Sequence, residues 1–559
     1  MTDALERQLA EIARALGVHG AVEVHLEKPR NPEHGDVASN LALVLAGRLG
    51  RPPREIAAEV LERLDRAAAG VATAEIAGPG FINFRLASGV VRERLAAILT
   101  AAERWGRSSA GRGRRVQVEF VSANPTGPLH VAHGRGAAFG DAIASLLEWT
   151  GHDVEREFYV NDAGAQIDKL GESVEARWRQ SRGEEATLPE GGYQGDYVVE
   201  LAGRLDGVLG ERLSAMDVAE RCALLALEAK AEMREAQRLD LEAFGVEFDS
   251  FFAESRVYET GAIGATLDDL AARGLTYEEG GALWLRTSAH GDDKDRVLIK
   301  SDGSYTYFLP DIAYHRDKAE RGFERLIDVW GADHHGYVAR MQAALASLGH
   351  PGMLDVQIVQ MVRVMRDGEE VKLSKRAGDI VTLRDLIDET GRDVARYFFL
   401  MRKPDAQMVF DLGLALDESE KNPVYKVKYA HARMMSIFRR AGVDPDGAGD
   451  GADLDLLNDP AEVDLIQRLA QFPEVVERAA QASSPHLICE YLEGTAGAVN
   501  SWYHAGNPSR RPELAVLVED EGLRRARLAL ARGIRTVLRN GLALLGLEAP
   551  DRMDRREPA

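Results

Sequence analysis

Residues 116–133 read Val-Gln-Val-Glu-Phe-Val-Ser-Ala-Asn-Pro-Thr-Gly-Pro-Leu-His-Val-Ala-His. Apolar and polar residues alternate from Val116 to Phe120, with the period of two that is typical of a β-strand. The prolines and glycine of 124–128 predict a turn that ends this strand, and the pattern of 130–149 predicts a helix. A strand, a tight turn and a helix in this order open a nucleotide-binding α/β sheet, in which ligands bind beyond the carboxyl ends of the strands.

Around this unit the sequence divides into four parts. Residues 1–90 combine helical periodicity with turns and a short strand, which predicts an α+β domain, and residues 91–115 end in a small, polar and basic segment typical of a linker. We expect residues 116–412 to form an α/β domain with a Rossmann-like parallel sheet and insertions, and residues 413–559 to form an all-α helical bundle. Within these parts we predict helices at 4–16 and 40–49, a further helix starting at Pro52-Pro53 and a mainly helical stretch from about 196 to 243. We predict strands at 82–86, 282–286, 297–300, 326–330 and 356–362.

The composition of the 559 residues excludes several classes of protein. Lys and Arg number 69 against 90 Asp and Glu, a net charge of -21, which argues against nonspecific binding to polyanions and makes local basic patches the informative feature. Two cysteines, Cys222 and Cys489, provide neither a disulfide framework nor a four-cysteine zinc site, and we expect no metal site. No run of about 18 uncharged apolar residues occurs, and the first residues lack a signal peptide's pattern. We therefore expect a cytoplasmic protein without a membrane partner.

Two short motifs could bind phosphate. His130 and His133 share one face at the amino end of the predicted helix, where unpaired backbone N–H groups attract anions. Far downstream, Lys372-Leu373-Ser374-Lys375 places two compact cationic donors next to small residues that let a loop close. Taken alone, the histidines are more often helix caps and the lysines more often part of a solvated loop.

Together, in this order and separation, the two motifs resemble the HIGH and KMSKS signatures of class I aminoacyl-tRNA synthetases. Longer strings resemble the bacterial arginyl-tRNA synthetases, and the resemblance spans nearly the whole chain. These strings are 122–130 (SANPTGPLH), 159–164 (YVNDAG), 307–315 (YFLPDIAYH), 330–336 (WGADHHG), 422–425 (NPVY), 429–433 (YAHAR) and 544–550 (LLGLEAP).

The resemblance implies an arginine–tRNA ligase that works in two steps. The carboxylate of arginine attacks the α-phosphate of ATP and releases pyrophosphate, and the 2′-hydroxyl at the 3′ end of tRNA(Arg) then takes the arginyl group. Neither step needs a protein nucleophile, so the protein is expected to position the substrates and stabilise charge on phosphate. No Gly-Lys dipeptide of a P-loop and no His-Glu-x-x-His motif of a zinc hydrolase occurs.

The resemblance also implies the residues that handle ATP. We expect His130, His133, Lys372 and Lys375 to be catalytic, and we expect ATP to be bound by Gly127, His130, Ala132, His133, Lys372, Ser374 and Lys375. Mg²⁺ should accompany ATP, although the sequence contains no dedicated carboxylate cage for it. Ala132 stands where the family signature has glycine, which puts the affinity for ATP in question because the adenine ring approaches the backbone there. Leu373 replaces the customary methionine with little change in volume.

A pocket for arginine must hold a guanidinium that stays ionised, which calls for carboxylates and aromatic hydroxyls or faces. By resemblance this pocket uses Glu119, Asn124, Tyr307, Asp311 and His334. Without the resemblance, Tyr307 would more often be a core residue and Asp311 a helix cap. Asp333-His334-His335 could suggest a metal cluster, but on a strand consecutive residues point to opposite faces, so we expect a pocket wall.

Two basic stretches are candidates for binding tRNA. Residues 421–440 contain three lysines and three arginines without an acid, and residues 524–539 contain six arginines without an acid. By resemblance to the family's anticodon-binding domain, we expect contacts from Tyr425, Lys426, Tyr429, Arg433, Arg525, Arg532 and Arg539. The alternative is a pair of solvated helices with snorkelling side chains. Residues 1–90 resemble the domain that contacts the tRNA elbow in the family.

Two other functions stay open at this stage. One is another class I synthetase, such as a cysteinyl enzyme, which would usually have zinc-binding cysteines, or a lysyl enzyme, which would need a pocket for a point charge. The other is a catalytically silent relative that only binds tRNA. The expected partners are tRNA(Arg), arginine and ATP, and a monomer is expected.

Overall fold

The amino-terminal part of the computed structural model is an α+β domain, as predicted. The structure describes residues 3–18, 24–27, 29, 34–86, 88–162, 164–371, 381–507 and 511–553. The elements of this domain are α1 (Asp3–Ala15), β1 (Leu26–Glu27), β2 (Val37–Ser39), α2 (Leu41–Leu49), α3 (Pro53–Arg63), β3 (Val71–Ala77) and β4 (Phe81–Leu86). The strands pair antiparallel in the order β1-β2-β4-β3, and the helices bury Leu9, Leu45 and Ile56 against Phe84.

The segment expected to be a linker contains a helix. Helix α4 (Ser88–Ala101) packs on two helices of the carboxyl-terminal bundle, and the Trp105 indole N–H donates to the Leu469 carbonyl at 3.1 Å. Residues 91–115 therefore join the amino-terminal domain to the sheet domain in sequence and also pack on the bundle.

The middle of the chain is built around one parallel sheet. Its elements are β5 (Arg115–Glu119), α5 (Val131–Trp149), β6 (Asp153–Val160), α6 (Ala165–Ser181), α7 (Asp196–Ser214), α8 (Val218–Ala243), β7 (Ser250–Ala253), α9 (Ser255–Glu259), α10 (Ala262–Ala272), β8 (Thr276–Glu279), β9 (Ala282–Leu285), β10 (Arg296–Ile299), α11 (Phe308–Glu320), β11 (Arg325–Gly331), α12 (Val338–Ser347), β12 (Leu354–Val359), β13 (Val362–Arg366), β14 (Glu369–Glu370), α13 (Leu383–Thr390), α14 (Arg392–Leu400), β15 (Met408–Asp411) and α15 (Leu412–Ala415). All neighbouring strands in the order β12-β11-β5-β6-β7 are parallel.

This strand order is that of a Rossmann fold. In chain order the five strands form the arrangement 3-2-1-4-5, and the order reverses between β5 and β11, where such sheets bind their ligands. Strand β5 is central and buried, and α5 packs tightly against its end, since a Cβ atom built on Gly140 would lie 2.1 Å from Cγ of Phe120. The Rossmann-like α/β prediction is confirmed.

Two small sheets accompany the parallel sheet. Strands β8, β9 and β10 form an antiparallel sheet, and β13 pairs antiparallel with β14 and parallel with β15. The single strand predicted at 356–362 is wrong. Strand β12 ends at Val359, the Gln360 N–H bonds to the Pro404 carbonyl, and β13 begins in another sheet.

The carboxyl-terminal part is the predicted helical bundle. Its helices are α16 (Pro423–Ala441), α17 (Pro460–Ala470), α18 (Phe472–Gln481), α19 (His486–Ala505) and α20 (Glu521–Leu544). Arg396 of α14 is fully buried. Its guanidinium donates hydrogen bonds to the Asp141 carboxylate of the sheet domain and to the Leu545 carbonyl of the bundle, and so links the two. No helix within the described ranges is both long enough and apolar enough to cross a membrane.

Candidate active site

A cavity of about 210 Å³ opens at the point where the strand order reverses. Strands β5 and β11 end here, so their last residues and the segments that follow them form its walls. Polar side chains in its lining include Glu119, Ser122, Tyr159, Asp311, Tyr314, His315, His334 and Tyr337. The cavity therefore combines carboxylates with aromatic hydroxyls, the chemistry expected around a guanidinium.

The chain leaves β5 through a strained turn. Val121 and Ser122 have φ angles of 68° and 42°, in the left-handed region that non-glycine residues rarely adopt. Such residues cost about 1–3 kcal/mol each and persist where the surrounding contacts hold them. Here the Ser122 hydroxyl donates to Oε1 of Glu119 at 2.8 Å and accepts from the backbone N–H of Tyr159 at 3.2 Å. The strain thus places Ser122 and Glu119 together at the cavity wall.

The next part of the turn is held from outside by two helices. The Gln237 amide of α8 donates to the carbonyls of Asn124 and Gly127 at 2.9 and 2.8 Å, and the Tyr197 hydroxyl of α7 donates to the Thr126 carbonyl at 2.8 Å. The Asn124 side-chain amide donates to Gln166 at 2.6 Å, and Asn124 is not among the residues that line the cavity.

The two predicted histidines form one unit at the start of α5. The rings of His130 and His133 stack with 3.7 Å between their centroids, and the His130 N–H donates to Nδ1 of His133 at 3.3 Å. Burial lowers the pKa of His130, and burial together with His130 lowers the pKa of His133 to about 3. Both imidazoles are therefore neutral at pH 7. Because Nδ1 of His133 accepts, its proton lies on Nε2, which makes His133 a hydrogen-bond donor rather than a charge.

Ala132 is half-buried in the first turn of α5, between the two histidines. The structure brings the segment after the second motif to this helix start. The Val131 N–H donates to the Val381 carbonyl at 3.2 Å, and the Leu383 N–H donates to the Leu129 carbonyl at 2.8 Å. Lys372, Ser374 and Lys375 themselves lie outside the described residues. Their flank at Val381 nevertheless meets the histidine motif although the two are far apart in sequence.

Asp311 lies in the first turn of α11 and faces the cavity. The Tyr337 hydroxyl donates to its Oδ2 at 2.7 Å, and burial raises the pKa of Asp311 above its ordinary value. Among the described residues no Lys or Arg lies within 4.0 Å of the Asp311 carboxylate. Nearby, burial likewise raises the pKa of Glu254, to which the Tyr258 hydroxyl donates at 3.4 Å. The cavity therefore contains acidic groups that a cationic ligand would stabilise.

Tyr307 and His334 lie at different distances from this cavity. The side chain of Tyr307 is 88% exposed and does not line the cavity, so it is not the core residue of the alternative interpretation. His334 lines the rim, with Nε2 3.4 Å from an oxygen of Asp333. Residues 332–337 form a 3-10 helix, so the expectation that His334 and His335 lie on a strand is wrong. No cluster suited to a metal ion occurs in the part of the chain that the structure describes.

Sequence reasoning missed several residues of the cavity. Tyr159, Tyr314 and Tyr337 surround the acidic groups, and the first two occur in the strings that carry the family resemblance. Lys318 is fully buried beneath the cavity, with Nζ 2.6 Å from Oε2 of Glu119 and 3.0 Å from Oδ1 of Asp328. Its spacing of seven residues from Asp311 on one helix was the available signal.

The first basic stretch forms an aromatic and cationic surface on α16. The Tyr425 and Tyr429 rings stack at 5.7 Å, and the Arg433 guanidinium lies 4.6 Å from the Tyr429 ring and 4.5 Å from the Tyr503 ring. These residues adjoin a groove of about 430 Å³ lined by Tyr429, Arg433, Arg439, Tyr503 and Arg552. We call this groove, with Tyr425 and Lys426 beside it on α16, the α16 surface.

The arginines of α20 have internal partners. Arg532 pairs with Asp450 at 2.6 Å, Arg539 pairs with Glu103 at 2.9 Å, and Arg525 donates to the Asp450 carbonyl at 2.6 Å. The acids absent from residues 524–539 are therefore supplied by other segments of the fold. The second basic stretch is largely neutralised, in contrast to the α16 surface.

Comparison with known proteins agrees with this geometry. Residues 1–86 match the family model "Arginyl tRNA synthetase N terminal domain", residues 94–189 and 223–410 match "tRNA synthetases class I (R), catalytic domain", and residues 427–553 match "DALR anticodon binding domain".

Relatives that match nearly the whole chain are named arginine–tRNA ligases. The arginine–tRNA ligase 1 of Halalkalibacterium halodurans is 46% identical over 532 residues, which cover 95% of this chain and 94% of that protein. The arginine–tRNA ligase of Thiobacillus denitrificans is 48% identical over 565 residues, covering 99% of both chains. The solved Thermus thermophilus arginyl-tRNA synthetase superposes with a TM-score of 0.75 at 26% identity and covers 99% of this chain and 100% of its own. This chain accordingly belongs to the arginyl-tRNA synthetase family of class I aminoacyl-tRNA synthetases.

Proposed function

We propose that this chain joins arginine to tRNA(Arg) with ATP, that the cavity between β5 and β11 binds arginine, and that the start of α5 binds ATP. The observation that carries the proposal is the acidic cavity at the point where the strand order of the Rossmann sheet reverses. The turn after β5 lines this cavity and leads directly to the paired histidines. The four-part division at residues 90, 115 and 412 then corresponds to tRNA elbow contact, connection, catalysis and anticodon binding.

The ATP site is proposed to act through donors rather than through charged histidines. Neutral His130 and His133 can donate N–H groups to phosphate oxygens next to the unpaired N–H groups of the first turn of α5. Positive charge is assigned to Lys372 and Lys375, with Ser374 between them, and the hydrogen bonds at Val381 and Leu383 support their approach to this turn. Gly127 and Ala132 complete the proposed ATP contacts.

Mg²⁺ is proposed to arrive with ATP. The described residues form no cluster of carboxylates or imidazoles that could hold the ion by itself. This fits an ion that keeps several waters and is bound mainly by substrate phosphates, which it partly neutralises. The protein's own part is to orient the phosphates.

In the arginine site, Asp311 is proposed to accept the guanidinium, and Tyr337 fixes its orientation through the 2.7 Å hydrogen bond. A half-buried carboxylate that has no Lys or Arg of the described residues within 4.0 Å gains most from a planar, permanently charged donor. Glu119 and His334, which both line the cavity, and Asn124 in the turn are proposed to contact the rest of the substrate. Tyr307, exposed at the start of α11, is proposed to join them when arginine binds.

The proposed reaction uses no nucleophile from the protein. An oxygen of the arginine carboxylate forms a bond to the α-phosphorus while the bond to pyrophosphate breaks. The tRNA 2′-hydroxyl oxygen then attacks the carbonyl carbon of arginyl-adenylate, AMP leaves with the bonding electron pair, and the hydroxyl proton passes to solvent. Catalysis therefore depends on alignment and on stabilising the leaving phosphate oxygens.

The α16 surface is proposed to bind tRNA through Tyr425, Lys426, Tyr429 and Arg433. Its aromatic rings suit unpaired bases of a loop, and its cations suit the phosphate backbone. Arg525, Arg532 and Arg539 are assigned at most a minor role because of their internal partners. A monomer working in the cytoplasm, where the tRNA pool lies, is proposed.

One assay tests the proposal as a whole. ATP–pyrophosphate exchange is measured with each amino acid, with and without tRNA, and is followed by aminoacylation of a tRNA mixture. We expect activity with arginine alone among the amino acids. Activity with lysine or cysteine would favour another class I synthetase, and no ATP consumption with any amino acid and tRNA would favour a silent tRNA-binding protein.

A further inference from the structure

A buried lysine joins two carboxylates behind the arginine cavity. Lys318 has no exposed surface, and its ammonium lies 2.6 Å from Glu119 and 3.0 Å from Asp328. Glu119 also lines the cavity, whereas Asp328 lies on β11 behind it and is fully buried. The lysine thus connects a residue of the cavity wall to a second acid that no substrate reaches.

The acids around Lys318 have several partners within the protein. His315 has Nε2 2.9 Å from Asp328 and Nδ1 2.8 Å from the Asp311 carbonyl. Arg321 pairs with Glu157 at 2.7 Å and with Glu155 and Asp317 at 3.0 Å each. Among the described residues, Lys318 is the Lys or Arg within 4.0 Å of Glu119 and Asp328, so these two acids share one ammonium.

We propose that Lys318 is a positioning residue of the arginine site, which keeps Glu119 ionised at the cavity wall against the neighbouring charge of Asp328. The inference rests on the proposed binding of arginine in this cavity. Lys318 does not touch the substrate, and its effect reaches arginine through the charge of Glu119. A carboxylate that lost its proton only at high pH would attract a cationic substrate poorly at neutral pH.

The electrostatics of the site support this role. Burial raises the pKa of Glu119, and Lys318 is the strongest group that opposes the rise, while Asp328 adds to it. Burial alone would lower the pKa of Lys318, but Asp328 and Glu119 outweigh burial and raise it. Without the ammonium, two close carboxylates in a buried site could not both stay ionised. The titratable and charged groups around Glu119 come from α11, β6, β11 and the segments that flank α11 and β11. They are Asp311, Tyr314, His315 and Lys318 of α11, Glu157 and Tyr159 of β6, Asp328 of β11, and Arg321, His334 and Tyr337 of the flanking segments.

The first test is the pH dependence of the arginine KM in Lys318→Met. Its Glu119 and Asp328 then hold a shared proton at low pH and release it as the pH rises. We expect the arginine KM to increase about tenfold or more near neutral pH, because the shared proton removes negative charge from Glu119 at the cavity wall. As the pH rises and this proton is lost, the KM of the variant should fall relative to that of the wild type, while the ATP KM stays close to normal.

A charge-matched double variant distinguishes ionisation from packing. Lys318→Met with Asp328→Asn removes one charge of each sign, so Glu119 no longer opposes a second acid. We expect most of the arginine affinity to return and the pH dependence to flatten. This variant also decides the matter if Lys318→Met alone does not fold: a folded double variant with a strongly raised arginine KM would overturn the inference.

Two controls separate the possible failures. Arg221→Met breaks another largely buried ion pair, with Glu175 at 2.9 Å, away from the cavity, and should leave the arginine KM and its pH profile unchanged. If Glu119→Gln and Asp311→Asn raise the arginine KM while Lys318→Met does not, the role of Lys318 is refuted and the arginine site stands. If neither Glu119→Gln nor Asp311→Asn changes it, the arginine site itself is misplaced.

Discussion

Asp311→Asn removes an ionisable acid from the proposed arginine cavity without changing the size of the side chain. The introduced amide can still accept the hydrogen bond that the Tyr337 hydroxyl donates to Asp311 at 2.7 Å, so the wall should keep its shape. The guanidinium of arginine loses its charged partner, and one of its N–H groups meets the amide N–H₂ of asparagine instead of an acceptor.

The size of the effect follows from the surroundings of Asp311. Truncating one partner of a buried, hydrogen-bonded charge pair costs about 2–5 kcal/mol of binding free energy. Asp311 is only half-buried, so we take the lower part of this range, about 2–4 kcal/mol, which corresponds to a roughly 30- to 1000-fold increase in the arginine KM.

The stability of the free protein should change in the opposite sense. Burial raises the pKa of Asp311. A carboxyl group with a raised pKa in the folded state contributes stability at low pH and loses it as the pH rises through that pKa. Once ionised, Asp311 is therefore a cost to the free protein, and the Tm of the asparagine variant should equal or exceed that of the wild type.

Steady-state pyrophosphate exchange with varied arginine, and thermal unfolding with and without arginine, measure both effects. Glu320→Gln on the same helix is the control, because Glu320 is 60% exposed and should change the arginine KM by no more than about twofold. An arginine KM for Asp311→Asn within about threefold of the wild type, with about the same shift of Tm on adding arginine, would refute the assignment.

Three further outcomes are expected. Lys375→Ala should lower the rate of adenylation by about 10²-fold or more, as for loss of a preorganised donor to charge that develops on phosphate, and a near-normal rate of pyrophosphate exchange would remove Lys375 from the mechanism. Gly134→Ala would put a Cβ atom 2.6 Å from Cδ1 of Leu383. Urea unfolding should show that the free energy of unfolding falls by about 1–3 kcal/mol, and adenylation should slow because the Leu383 N–H bonds the backbone just before α5. If both the stability and the adenylation rate were unchanged, this packing would be contradicted. Arg433→Gln should weaken tRNA binding and reduce the slope of log affinity against log salt concentration by about one unit. Arg532→Gln, which loses an ion pair with Asp450, should change that slope much less. An equal reduction of the slope in both variants would return α20 to the tRNA interface.

Local sequence patterns predicted the elements of this fold well. The strand from Val116, the helix that follows His130 and the helix that starts at Pro53 appear within one or two residues of their predicted bounds. Such signals depend on neighbours in sequence, namely alternation, helical period and turn residues, and so need no knowledge of the rest of the chain. The pattern failed at 356–362, where one apolar run contains two strands, because pairing with different partners is not written in the run itself.

The motifs led to predictions about the chemistry of the site, but they did not indicate the charge states of its side chains. His130 and His133 were expected to attract phosphate, and their stacking and burial make them neutral donors. Tyr307, taken from a motif, lies in solvent, while Tyr337 makes the hydrogen bond to Asp311. The side chain that meets an acid depends on how α11 and the 3-10 helix after β11 pack, which residue spacing within either segment does not specify.

The charged residues show most clearly what the sequence determines and what depends on the tertiary structure. The sequence indicates a Rossmann-like domain between an α+β domain and a helical bundle, and it indicates the family, because those signals are local or are carried by strings that resemble the family. The partners of the charged residues come from distant parts of the chain. Lys318 meets Glu119, nearly two hundred residues earlier, and Arg539 meets Glu103, more than four hundred residues earlier. Whether a cation faces nucleic acid or neutralises a carboxylate depends on which segments the folded chain brings within a few ångströms, since Coulomb interactions in a buried site act over that distance.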